Sequence, residues 1–124
     1  MYTGKLKLVR KYLSFLENEY NMTFSFQSFN DFRGFVGPSD CYSFYNDNGC
    51  FTIHNLVQKD EWGIYVCDTF CKSQYSLLSQ EINLADYDNI SGIGFFLKSR
   101  WLNYLGKIIK KQIILENSFF GIKV

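Results

Sequence analysis

The sequence predicts one α+β domain over residues 1–124. The expected architecture is a mostly antiparallel sheet built on a three-stranded meander, with N-terminal and C-terminal amphipathic helices packed on one face. Three observations carry this expectation. Apolar residues recur at three- and four-residue spacing near both ends of the chain, and they alternate at period two through its middle. An Asn-Gly step at Asn48–Gly49 separates two of the alternating runs, which is a strong short-range signal for a hairpin. The length of 124 residues, with 47% apolar and 20% charged residues, suits a single globular unit with a core of its own.

The elements follow in order. Leu6, Val9, Leu13, Leu16 and Tyr20 form one stripe of a helix over roughly 4–20, widened by Tyr12 and Phe15. Lys5, Lys7, Arg10, Lys11, Glu17 and Asn18 take its polar side. Thr3 is its expected N-cap and Asn21 its left-handed stop. In 23–29, Phe24 and Phe26 alternate with Thr23, Ser25 and Gln27, the pattern of a half-buried strand. The stretch 30–40 holds two Gly and the only Pro, and reads as a loop with a short strand or turn at 32–36.

The segment 41–71 carries the meander. CYSFYN and CFTIHNLV flank the turn at Asp47–Gly49, and WGIYVCDTF follows a polar turn at Gln58–Glu61. On that third run Trp62, Ile64, Val66 and Phe70 are expected on one face, joined by Phe44, Phe51 and Ile53. Tyr65, Cys67 and Thr69 take the other. Residues 73–93 read as a strand at 73–79 followed by an acidic loop. Leu97, Trp101, Leu105 and Ile108 or Ile109 define a second helix at roughly 95–112, with basic residues crowding its last turn. Gly106 is unfavourable inside a helix and implies a close packing contact. The tail is expected to end in a short strand.

Charge is unevenly distributed although the net value is +1. Residues 1–30 carry a balance of +2, 31–88 a balance of −6 and 89–124 a balance of +5. Such fields select partners and set encounter rates. The basic start lacks the continuous apolar run of a secretory signal, and no apolar run is long enough to span a membrane. A cytoplasmic chain with free thiols is therefore expected. Cys41, Cys50, Cys67 and Cys71 are spaced by nine, seventeen and four, which does not match a paired zinc framework.

No chemistry-bearing motif stands out. His54 is the only histidine, so a multi-histidine metal site is excluded. It shares a strand face with Cys50, Thr52 and Leu56, and the expected reading is a surface or edge histidine. A Cys-His enzyme is the rival. Asp60–Glu61 and Asp86–Asp88 lie in expected turns or loops, where carboxylates are solvated and unsuited to paired acid–base work. No phosphate-binding glycine loop, metal site or cofactor is expected. Nucleic-acid binding is disfavoured because acids surround the aromatic sheet. An aromatic, acidic surface suits a basic protein partner. Tyrosines anchor interfaces and acids speed capture of cations, which draws attention to Tyr42, Tyr45, Tyr65 and Tyr87 beside the acids.

Over its length the chain resembles the bacterial immunity proteins of polymorphic or contact-dependent toxin systems. The likeness lies in a small single domain, an opening amphipathic helix, the Tyr/Phe/Asn-rich meander YSFYNDNGCFTIHNLVQKDEWGIYV and an acidic central section. The resemblance implies a cytoplasmic, non-enzymatic inhibitor. Such a protein binds a cognate toxin domain, often a nuclease, and blocks its active site or an adjoining exosite. These proteins share no motif, so no family residue is carried over. Charge nominates Asp47, Asp60, Glu61, Asp86 and Asp88, and the anchoring role of aromatic rings adds Tyr45, Tyr65 and Tyr87, as the partner-binding set. A regulatory or adaptor domain with a different partner is the other alternative. The oligomeric state is left open.

Overall fold

A computed structural model describes residues 3–32, 35–70, 80–84 and 98–124. The protein is α+β and groups into two compact units, Thr23–Ile82 and Met1–Met22 with Asn83–Val124. The strand expected at 73–79 and most of the acidic loop after it lie outside the described residues.

The first unit is a five-stranded antiparallel sheet. Its strands are β1 (Thr23–Phe32), β2 (Phe35–Asn46), β3 (Gly49–Leu56), β4 (Glu61–Cys67) and β5 (Gln80–Ile82), ordered in the sheet as in the chain. Opposite residues in such a ladder project to the same face, so the register assigns every side chain. One face is apolar: Phe24 and Phe26 on β1, Tyr42 and Phe44 on β2, Phe51 and Ile53 on β3, Ile64 and Val66 on β4, Ile82 on β5. Ring pairs tie its strands together, Phe24 to Phe44 at 5.0 Å and Phe26 to Tyr42 at 5.1 Å between centroids.

Three expectations about this unit need correction. The stretch 30–40 is mostly strand, because a bulge absorbs its loop-forming residues. Phe29 pairs with Ser39 and Asp31 with Val36, so Gly37 and Pro38 together face Asn30. Pro38 has no N–H for a ladder, and only its carbonyl is used, accepting from the Val57 N–H at 3.0 Å. The second turn spans 57–60, one residue earlier than expected, and Glu61 opens β4. Phe70 does not share the face of Trp62, Ile64 and Val66. β4 ends at Cys67, alternation stops there, and Phe70 packs on the opposite side against Cys41, Cys50 and Tyr65.

The second unit contains α1 (Thr3–Leu13), a short α2 (Phe15–Asn18), α3 (Lys98–Glu116) and a hairpin of β6 (Ser118–Phe119) with β7 (Ile122–Lys123). The single helix expected over 4–20 is interrupted at Ser14. Its stop is where the sequence puts it: Asn21 has φ 57°, and the Met22 N–H donates to Leu16 O at 3.0 Å. Val9, Leu13 and Leu16 from the first helices and Leu102, Leu105, Ile109 and Ile113 from α3 are buried. α3 runs four residues past the expected end. Its last turn therefore holds no basic residue, and Lys107, Lys110 and Lys111 sit mid-helix. Asn117, at φ 56°, ends it.

Gly106 accounts for the close contact its position implied. A Cβ there would stand 3.0 Å from the backbone carbonyl of Tyr12 on α1. The hairpin turn after α3 is carried by Phe120 and Gly121, both at positive φ, which a two-residue turn of this kind demands.

Candidate functional site

The sheet face opposite the apolar one holds the chemistry-bearing side chains. Cys41 and Ser43 on β2 stand opposite His54 and Thr52 on β3. Thr52 and Cys50 stand opposite Tyr65 and Cys67 on β4. Period two put these residues on one face; burial was not foreseen. Cys41, Ser43, Cys50 and Thr52 are all buried, and His54 is 3% exposed. His54 is therefore a core residue of the central strand, which corrects the expected surface or edge histidine. Its register neighbours are Cys41 on β2 and Gly63 on β4. Ser43 Oγ and Thr52 Oγ1 hydrogen-bond at 2.9 Å, and Cys50 Sγ lies 3.6 Å from Thr52 Oγ1. His54 meets the Tyr65 ring edge-on at 6.0 Å. Tyr45 and Phe70 stack at 4.1 Å, 4° from parallel, and pack on the same cluster.

The electrostatics of this layer decide what it can do. Burial pushes His54 down to about 4, although the nearby Asp40 carboxylate pulls the other way. Burial, and then Asp40, raise the Cys41 thiol far above its ordinary value. A nucleophilic Cys-His pair needs a lowered thiol beside an imidazole able to take its proton. Cys41 and His54 have the opposite polarity: a protonated thiol beside an imidazole that resists charging. Cys50 and Cys67 differ from them. They stand directly opposite each other on β3 and β4. The neighbouring Cys50 thiol lowers Cys67 below the usual thiol range, against the opposing effect of burial, while Cys50 is raised. Cys67 is half-buried, and its Sγ also donates to Thr69 O at 3.0 Å. Among the described residues, no three of the His, Cys, Asp and Glu side chains cluster as a metal site.

The nominated partner-binding residues are dispersed. Asp47 is exposed in the β2–β3 turn. Asp60 and Glu61 are at the β3–β4 turn, and the eight residues of β3 separate the two turns by roughly 26 Å at ~3.3 Å per residue. Asp60 is half-buried at φ 52° and accepts from Asn55 Nδ2 at 3.2 Å, so it builds the turn as well as charging it. Tyr65 is 3% exposed and Tyr42 fully buried, which removes both from the accessible set. Tyr45 is half-buried against Phe70. Asp86, Tyr87 and Asp88 lie outside the described residues. Two further acids matter. Asp68 is exposed just after β4, at the same end of the sheet as Asp47. Asp40 is 7% exposed and held by the Ser28 hydroxyl at 2.8 Å. Its phase with Tyr42 and Phe44 already placed it on the apolar side of β2.

Charge divides with the two units. Thr23–Ile82 carries seven acids and three bases; the other unit carries ten bases and five acids. Among the described residues no helix is long and apolar enough to cross a membrane. No protein-family model, no curated protein and no solved structure matches the chain.

Proposed function

We propose that the protein is a stoichiometric inhibitor, an immunity protein that binds a cationic toxin domain through its acidic sheet unit. The toxin is a nuclease in the first instance, because a nuclease presents a basic cleft to its substrate. The inhibitor acts by steric and electrostatic occlusion of that cleft, without turnover and without a cofactor, in the cytoplasm. The observation that carries this reading is the division of charge: the sheet unit is net acidic while the helical unit is net basic. The inverted polarity of Cys41 and His54 supports a binding role over a Cys-His enzyme.

Two acidic ends of the sheet compete for the partner. One end carries Asp47 and Asp68, the other Asp60 and Glu61. Co-expression with the product of the neighbouring reading frame, followed by pull-down and growth rescue, tests the proposal. Wild-type protein rescues growth and co-purifies with the toxin. Asp47→Lys or Glu61→Lys, whichever lies at the interface, weakens protection at least about tenfold, since like charges at an interface cost several kcal/mol. The reading is lost if wild type neither rescues nor co-purifies. Binding to a protein other than a toxin would instead make the chain an adaptor.

A further inference from the structure

We propose that Cys50 and Cys67 form a redox-active cross-strand dithiol that a low-molecular-weight disulfide, such as oxidised glutathione, closes to an intramolecular disulfide. The proposal is independent of the binding function above. Cys50 on β3 stands directly opposite Cys67 on β4. Opposite residues in an antiparallel ladder have Cα atoms ~4.5–5.5 Å apart, inside the ~4.4–6.8 Å that a disulfide spans. Both side chains project to the same face of the sheet, since opposite residues of a ladder share a side. The bridge therefore needs side-chain rotation and little backbone movement.

The two sulfurs have different surroundings, which assigns their roles. Cys50 is fully buried, whereas Cys67 is half-buried at the end of β4. Cys67 is the sulfur an external disulfide reaches, and its lowered titration favours the thiolate that attacks. That thiolate attacks one sulfur of the small disulfide. The S–S bond breaks, a mixed disulfide forms on Cys67, and one small thiolate leaves and takes up a proton. Cys50 then loses its proton and attacks Cys67 Sγ. The Cys50–Cys67 bond forms and the second small thiol leaves. The protein gives up two electrons and two protons, and the small disulfide gains both as two thiols. Cys41 takes no part, because it is buried opposite His54 and its thiol is held protonated.

The test uses the purified, reduced full-length chain. It is incubated with oxidised glutathione, its remaining thiols are alkylated, and it is cut on the N-terminal side of aspartate. Cleavage before Asp40, Asp47, Asp60 and Asp68 puts each of the four cysteines on a separate fragment, so the wild type reports its own pairing. Fragment 47–59 is expected joined to 60–67, and dithiothreitol separates them. In the Cys50→Ser variant the reaction is expected to stop at a glutathione adduct on Cys67. Without oxidant, iodoacetamide is expected to label Cys67 at least about tenfold faster than Cys41 or Cys50. Pairing of Cys67 with Cys71, pairing of Cys41 with Cys50, or full alkylation of all four thiols after oxidation would overturn the proposal. None of these readouts requires a toxin, so they leave the inhibitor reading to its own test.

Discussion

His54 sits at the centre of β3 between Cys41 and Gly63, and its burial gives the protein a defined response to acid. Its titration near 4 in the folded protein lies below the ordinary value of 6.5. Between those values the unfolded chain takes a proton that the folded protein refuses. Stability from this group is complete above about pH 6.5, falls as pH drops toward 4 and is flat below. The loss is of order 3 kcal/mol at 1.36 kcal/mol per pKa unit. Urea midpoints at pH 7.5, 5.5 and 4.5 measure it, and His54→Gln is expected to flatten the profile between pH 6.5 and 4 relative to wild type. Asp60 poses a second question at this scale, because it is both a turn residue and a nominated contact. Asp60→Asn keeps an acceptor for Asn55 and tolerates φ 52°, so its stability should stay within about 0.5 kcal/mol of wild type. Asp60→Val places a β-branched residue at positive φ and should cost about 1–3 kcal/mol by chemical denaturation. If Asp60→Asn folds normally yet loses partner affinity, the carboxylate charge belongs to the interface.

Two glycines in the helical unit serve different ends, and alanine distinguishes them. At Gly106 the issue is space: the added methyl would stand 3.0 Å from Tyr12 O, and a backbone carbonyl cannot move aside as a side chain can. Alanine is the better helix former by about 1 kcal/mol, so a simple propensity argument predicts stabilisation. The close approach of α1 and α3 predicts the reverse, a net loss of about 1–2 kcal/mol for Gly106→Ala, with exposed Lys107→Ala near neutral as the control. At Gly121 the issue is angle: nothing lies within 4 Å of a Cβ there, but φ is +83°. Gly121→Ala should cost about 1 kcal/mol with no change in helix packing. Thermal unfolding of the three variants separates crowding from backbone strain. The bulge in β1–β2 illustrates a related point about elements. Gly37 and Pro38 signal a loop, yet β2 continues through them because the extra residue on that strand absorbs the irregularity.

For the whole molecule, separated charge turns on-rate into the sensitive observable. An acidic sheet unit facing a cationic partner is expected to associate about tenfold more slowly when ionic strength rises from 0.05 to 0.3 M, with a much smaller change in dissociation. Stopped-flow association at several salt concentrations measures this, and a flat profile would sink the electrostatic part of the inhibitor proposal. Reversing Asp47 or Glu61 then identifies the end of the sheet in use, because the two residues lie too far apart to act through one small contact.

Much of this architecture is legible in residue order. Period two sorted Tyr42, Phe44, Phe51 and Ile53 from Cys41, Cys50, Thr52 and His54, because alternate side chains of a strand must point apart. Asn21 located a helix stop and Gly106 announced a close contact, each through a preference local to that residue; the Asn48–Gly49 step marked the β2–β3 hairpin, although its turn residues are Asp47 and Asn48 and neither they nor Gly49 takes positive φ. Burial of the polar face was not legible, since alternation says which residues share a face and is silent on whether that face is covered. Register was not legible either. A turn at 58–61 would have set Cys50 opposite Thr69; the turn at 57–60, closed by Asp60 in its left-handed conformation and by the Asn55 side chain, sets it opposite Cys67. The pairing of those two thiols thus depends on where one turn closes, and hydrogen bonds across the folded sheet select that closure, whereas the hydrophobic pattern along the chain fits both.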